Sequence, residues 1–251
     1  MFYSKKFKEF KNINHCFFSR NKGTSKGIYK SLNCGSGSKD SKNNIKKNLA
    51  FVSKVIRVKK KLLLMRQTHS NKVIIINNIN KKIKKFNSDA IITNMKGFAL
   101  GVITADCAPI LLYDFKNEII GCVHAGWKGA YLGIIENTIK RFKQFNKNNK
   151  IFASIGPCIG EKSYEVDLKF YKNFLLKSKK NSVYFKKASK NKKKFNLRKY
   201  INDKLVKLNV KVSHVNYDTF KDKDNFFSYR RSQKLKETDY GRCISVISLT
   251  T

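Results

Sequence analysis

Five short apolar runs, each closed off by polar turn residues, set the limits on what this chain can fold into. They are Leu62 to Met65, Val73 to Ile76, Phe98 to Thr104, Ile110 to Tyr113 and Ile119 to Val123. Rich in Ile, Val and Leu and too short for buried helices, they read as strands. Helical spacing comes later. Ala130, Ile134, Thr138 and Phe142 share one face after Gly129, and Leu197, Tyr200, Ile201, Leu205 and Leu208 form a stripe behind Asn196, an N-cap residue. A last strand, Ile244 to Leu249, follows. Strands mixed with helices predict an α/β (α+β) fold, with a mixed β-sheet core flanked by helices. The 251 residues, 41% of them hydrophobic, suffice for one core, so the expectation is a single domain over residues 1–251. Neither polar stretch, Gly35 to Lys47 or the lysine-dense Lys177 to Lys194, reads as a domain boundary; the latter reads as a solvated loop.

Several function classes fall away on composition. The longest apolar stretch, Phe98 to Tyr113, is interrupted by Asp106, so no membrane span is expected. Met1 to Phe10 alternates charge with aromatics and has no signal core. A cytoplasmic chain is expected. A net charge of +39 ordinarily points to nucleic acid. Here 47 Lys stand against 8 Arg, spread from end to end with 26 Asn, which is the bias of A+T-rich codons, so no specific nucleic-acid partner is inferred. Six cysteines without a CxxC pair read as reduced thiols.

Three residues stand out chemically. His69, Cys107 and His124 each follow a predicted strand, and catalytic groups gather beyond strand ends in open sheets. One thiolate and two imidazoles suit zinc, and three protein ligands leave a fourth tetrahedral position open, the arrangement of a catalytic site. The same residue types also serve as surface histidines and a buried apolar thiol. Spacing alone does not separate these readings.

A set of segments running in order along the chain does. Gln67-Thr-His69-Ser-Asn-Lys-Val73, Asp89-Ala-Ile-Ile-Thr93, Thr104-Ala-Asp-Cys-Ala-Pro109, His124-Ala-Gly-Trp-Lys-Gly129, Gly156-Pro-Cys-Ile-Gly160, Phe226-Phe-Ser-Tyr-Arg-Arg231 and Gly241-Arg242 resemble the YfiH/laccase-domain family. That family is also called the purine nucleoside phosphorylase, peptidoglycan editing factor or polyphenol oxidase family. Phe17-Phe-Ser-Arg20 and Ser31-Leu-Asn-Cys-Gly35 extend the likeness. The resemblance implies a metal site at His69, Cys107 and His124, holding one zinc ion or copper. It also implies phosphorolysis of adenosine, inosine and methylthioadenosine, with adenosine deamination beside it. The expected partners are purine nucleosides and phosphate; the oligomeric state stays open. Lys22, Lys128 and Asp218 depart from the family pattern, and the ligand positions do not.

Further roles follow from the chemistry. A proton shuttle is needed for deamination, and Asp106, next to Cys107, is a candidate general acid/base, though equally a turn or cap residue. Phosphorolysis needs an anion pocket. Arginine forks match phosphate, and in so lysine-rich a chain Arg20, Arg230, Arg231 and Arg242 are the candidate contacts, with ordinary ion pairing or carbonyl capping as the alternative. Gly126 and Gly129 open a helix that could present N–H groups to an anion. Trp127, Phe226, Phe227 and Tyr229 are candidates for stacking on a purine. Two rival chemistries use the same atoms: a cysteine hydrolase with Cys107 and His124, acting for instance on peptidoglycan precursors, and copper redox chemistry. Four histidines are too few for a multicopper enzyme.

Overall fold

In a computed structural model, which describes residues 1–77, 86–145 and 148–250, the five runs are strands. The chain opens with β1 (Ile13–Phe17), α1 (Lys42–Ile56), β2 (Lys61–Leu64), β3 (Val73–Ile76) and β4 (Ala90–Thr93). Then come β5 (Phe98–Thr104), β6 (Ala108–Asp114), β7 (Ile119–Ala125), α2 (Trp127–Leu132), α3 (Ile134–Phe145) and β8 (Ile151–Ile155). After β9 (Glu165–Asp167) and α4 (Leu168–Lys177) follow β10 (Phe185–Ser189), β11 (Lys192–Phe195) and α5 (Leu197–Lys207). Finally β12 (Lys211–His214), α6 (Tyr229–Lys234) and β13 (Cys243–Leu249) complete the order. No helix among the described residues is long and apolar enough to cross a membrane.

Two mixed sheets face each other. One has the order β1-β13-β5-β2, the other β12-β8-β6-β7-β4-β3. The side chains of β6 show why this strand is buried throughout. Leu111 and Tyr113 point between the sheets, where they meet Leu100, Val102 and Ile247, while Ile110 and Leu112 point toward α3 and α5. A strand covered on both faces reads as an unbroken apolar run, and each such Leu or Ile contributes about 1.5–3 kcal/mol by leaving water. On the outer face of the four-stranded sheet lies α1, through Val52 and Ile56 packed near Val246 and Ile244. The layers are thus helix, sheet, sheet, helix. The expected mixed-sheet core flanked by helices is observed, with two facing sheets in place of one.

Three local differences have physical causes. Ala130, Ile134, Thr138 and Phe142 are all buried but belong to two helices, because Gly133 adopts φ +96°, a left-handed conformation that stops α2. The lysine-dense stretch is not a loop: Phe185 stacks on Phe195 at 4.9 Å, and this pair anchors the hairpin β10–β11, whose β10 lysines face water. Helix α1 carries no clean apolar stripe, since its central inward residue is Asn48. That amide binds Thr24, Ser25, Ser31 and Asn33 and so ties the N-terminal loops to the helix. The expected Asn196 cap is present, its side chain accepting from Lys199 N at 2.9 Å.

Candidate metal centre

Strand register builds the site. β6 and β7 run antiparallel with Pro109 opposite His124, so Cys107, just before β6, lies beside the end of β7. β4 pairs on the other side of β7 with Ala90 opposite Val123, which brings Asp89 alongside His124. The His124 amide donates to Asp89 O at 2.7 Å. His69 comes from the turn between β2 and β3, and Asp89 holds that turn: its carboxylate accepts from the amides of Thr68, His69 and Ser70 and from the Ser70 hydroxyl. The turns that carry His69 and Cys107 both have non-glycine residues at positive φ, His69 at 56° and Asp106 at 84°. Such geometry costs energy and persists where the surroundings enforce it.

The ligand atoms of His69, Cys107 and His124 lie within 4.8 Å of one another, and they are the one such group among the described residues. Cys107 Sγ is 3.8 Å from His69 Nε2. A tetrahedral zinc site sets sulfur and nitrogen ligands about 3.5 Å apart, so this pair is already near the required spacing. His124 Nδ1 is taken by Asp89 Oδ1 at 2.8 Å, which leaves Nε2 for the cluster. A carboxylate behind a ligating imidazole fixes its tautomer and orientation. Gly126 completes the fit: a Cβ there would stand 2.7 Å from Cys107 Sγ and 3.2 Å from His69 Cδ2. The donor set, its spacing and this cradle suit a divalent metal ion.

Electrostatics favour the thiolate of the donor set, and an ion at Nε2 would displace the proton that His124 otherwise holds. Burial alone would raise the Cys107 thiol, but His124 and His69 outweigh it and bring Cys107 down to about 7. Burial works against charging His124 too, yet the Cys107 thiolate and Asp89 push it up to about 9. Asp89 is held below the usual carboxylate range by His124 and Ser70 despite its desolvation. The three form a chain of alternating charge.

Two hollows flank the cluster. A polar cleft of 470 Å³ reaches His69, Cys107 and His124 and is lined also by Arg66, Gln67, Tyr240 and Arg242. An aromatic hollow of 210 Å³ reaches His69 and Cys107 from Trp127, Tyr164, Tyr229 and Arg230. Tyr229 and Tyr240 meet at 5.1 Å between ring centroids and so join one hollow's wall to the other's.

The other expected residues are distributed as follows. Arg242 lines the polar cleft, its guanidinium over Tyr240 at 4.0 Å and bonded to Tyr240 O. Arg230 lines the aromatic hollow, donating to Glu165 O at 2.7 Å. Arg20 instead donates to Lys30 O and Lys223 O, and Arg231 to the carbonyls of Thr219, Phe220 and Phe226. Asp106 is buried with both oxygens engaged, by Thr219 Oγ1 at 2.7 Å, Ser228 Oγ at 2.9 Å and Arg230 N at 2.6 Å. Its burial raises the carboxyl pKa and these donors oppose the rise. Phe226 and Phe227 are core residues, 1% and 3% exposed, and do not line either hollow. Helix α2 has six residues. Asp89, Arg66, Gln67, Tyr164 and Tyr240 carried no assigned role in the sequence. Arg66 was marked only by being an arginine among lysines, and Asp89 only by opening a family segment.

Two facing sheets thus bring together two imidazoles and a thiolate, with a carboxylate behind one imidazole, a donor set that could hold a single metal ion. The family is given by comparison. Residues 14–250 match the model of the family described as multi-copper polyphenol oxidoreductase laccase, and the chain belongs to that family. A purine nucleoside phosphorylase of Haemophilus influenzae is 30% identical over 240 residues, 94% of each chain. One of Rickettsia conorii is 36% identical over 188 residues, 74% of this chain and 77% of the relative. Among solved structures, a Neisseria meningitidis protein superposes with a TM-score of 0.85 at 27% identity over 96% of both chains. Bacillus licheniformis YfiH gives the same TM-score at 24% identity, covering 95% of this chain and 93% of the other.

Proposed function

We propose that this chain is a zinc-dependent purine nucleoside phosphorylase, converting adenosine, inosine and S-methyl-5′-thioadenosine to free base and a ribose 1-phosphate. The observation that carries the reading is the His69–Cys107–His124 cluster standing between a hollow lined by arginines and a hollow lined by aromatics. His69 Nε2, Cys107 Sγ and His124 Nε2 would hold the ion. A zinc ion so held supplies a Lewis-acid charge that stabilises negative oxygen at neutral pH.

The chain's own residues do the rest. Arg242 and Arg66, with Gln67 between the cleft and β5, offer the guanidinium forks that bind phosphate oxygens. Arg66 has no side-chain hydrogen-bond or ion-pair partner among the described residues, unlike Arg20 and Arg231. Trp127 and Tyr229 offer ring faces to the purine. Phosphate oxygen then bonds to C1′ while the C1′–N9 pair departs with the base, which takes up a proton. Asp106 is read here as a positioning residue: its three donors tie Thr219, Ser228 and α6 to the turn that carries Cys107.

Adenosine deamination is proposed as a second activity of the same site. It needs C6, not C1′, at the cluster, and access from both hollows permits the nucleoside to bind in either sense. A hydrolase reading is favoured by one observation, the Asp89–His124 hydrogen bond beside Cys107, which has the form of a nucleophile, base and orienting carboxylate. The family's name speaks of several coppers. His15 and His214 bind Ser4 N and Asn202 elsewhere, so the histidines for further copper centres are not there.

The test is metal analysis together with chromatography of products from adenosine, with and without phosphate and chelator. Adenine appearing only with phosphate, in a preparation holding one zinc ion per chain, supports the reading. Adenine formation that survives complete zinc removal overturns it. Iodoacetamide separates the hydrolase: bound zinc protects Cys107, whereas a free nucleophile is alkylated with or without chelator.

A further inference from the structure

Trp127 is the chain's one tryptophan, and it remains 37% exposed. Its placement matters more than its exposure. This ring lines two hollows at once. Beyond the aromatic hollow of 210 Å³ lies an outer one of 330 Å³, and Trp127, Tyr164 and Arg230 belong to the walls of both. The outer walls add the apolar side chains of Val166 and Phe170 and, at the rim, Glu165, Asp167 and Lys192. Trp127 packs on Phe170 with ring centroids 4.9 Å apart. Arg230 is fixed at the shared boundary, bonded to Glu165 O and lying over the Tyr164 ring at 5.2 Å.

We propose that the outer hollow receives an alkyl or aryl group carried on the C6 amino nitrogen of a purine nucleoside. This rests on the phosphorylase reading, because phosphorolysis fixes the pose. C1′ stands at the His69–Cys107–His124 wall with phosphate on the side of Arg66 and Arg242. The purine joins C1′ through N9, and its C6 edge lies across the ring system from that bond. With the base against Trp127 and Tyr229, C6 therefore points away from the cluster, toward the boundary that Trp127 and Tyr164 share with the outer hollow. A bulky substituent there passes between the two hollows and lies on the Trp127, Val166 and Phe170 surface. Lys192, ion-paired with Glu165 at 3.0 Å, lines the same hollow and offers its alkyl stem to the substituent. Nothing changes at C6 in the reaction: one bond forms between phosphate oxygen and C1′, one breaks between C1′ and N9, and the base gains a proton. The substituent contributes binding only.

The experiment compares N6-benzyladenosine with adenosine on the zinc-loaded full chain, by kcat/KM with saturating phosphate and by quenching of the single tryptophan's fluorescence. The expected result is a kcat/KM for N6-benzyladenosine equal to or above that for adenosine, with quenching at lower ligand concentration. In Lys192→Trp, where a ring fills the outer hollow, the ratio of the two kcat/KM values is expected to fall at least tenfold. A wild-type ratio below one, or a ratio unmoved in Lys192→Trp, overturns the proposal. If neither nucleoside is cleaved yet N6-benzyladenosine quenches Trp127 more tightly than adenosine, the phosphorylase reading fails and the subsite stands.

Discussion

Asp89 accepts the Nδ1 proton of His124 at 2.8 Å and, through the same carboxylate, the amide of His69 at 3.0 Å. One side chain thus orients a candidate ligand on β7 and pins the turn that carries another candidate. Replacing it by asparagine keeps the volume but turns an amide NH2 toward a ring of N–H and O–H donors. Asp89→Asn is expected to weaken zinc binding about 10–100-fold, the usual effect of losing such a supporting partner. Competition with a chromophoric chelator measures it, and far-UV circular dichroism checks that the fold is kept. Unchanged affinity would show that the carboxylate serves only the turn.

Gly126 is required for space, since its φ of −72° suits any residue. A methyl group there would collide with Cys107 Sγ at 2.7 Å. Gly126→Ala is expected to displace the thiolate from the cluster and to cost about 1–3 kcal/mol from overpacking. In the cobalt-substituted protein the thiolate-to-metal absorption should disappear. Retention of that band at full intensity would mean that the helix start moves instead of the sulfur.

What the sequence made legible divides along physical lines. Strands β5, β6 and β7 announce themselves because they are covered on both faces, so local composition and tertiary burial agree. Helix α1 does not, because the inward position at its centre is Asn48, whose value lies in bonds to loops 15 to 24 residues away. The hairpin hides behind lysines, and only the pairing of Phe185 with Phe195 reveals it. In the site, His69, Cys107 and His124 are marked by residue type and by family likeness. The partnership of Asp89 with His124 depends on the antiparallel register of β4 and β7, which no local pattern encodes. The arginines divide similarly: sequence marks them as scarce, but only the fold says that Arg230 and Arg242 line a hollow besides bonding a carbonyl, while Arg20 and Arg231 line neither.

His15 gives an acid response separate from the metal site. Its Nε2 accepts from Ser4 N at 2.9 Å, which requires the neutral ring, and burial first, then Lys8, push it down to about 4. The unfolded chain titrates near the ordinary value of 6.5. Between those values the unfolded state binds the proton and the folded state does not, so stability falls as pH drops from 6.5 toward 4 and this contribution levels off below. The slope from one such group is up to about 1.4 kcal/mol per pH unit. His15→Gln, which keeps an acceptor for Ser4, should lower stability less steeply across that window. Urea midpoints at intervals between pH 7 and 4.5 report it; parallel curves for the two proteins would contradict the assignment.

Arg242 and Arg231 test how the fold sorts its arginines. The Arg231 guanidinium caps the carbonyls of Thr219, Phe220 and Phe226, so Arg231→Ala leaves these without their donor and is expected to cost about 1–3 kcal/mol of stability. Its effect on the KM for phosphate should be small. Arg242 faces the polar cleft beside Arg66, and Arg242→Lys exchanges a planar fork for a point charge. There the KM for phosphate is expected to rise about tenfold or more with the KM for adenosine moving little, while the altered contacts to Tyr240 O and Asp239 lower the melting temperature less than Arg231→Ala does. Steady-state kinetics with each substrate varied in turn, beside thermal melts of both variants, tests these expectations. The reverse pattern, phosphate KM raised in Arg231→Ala and stability lost in Arg242→Lys, would move the anion site away from the polar cleft and toward the loop around Thr219.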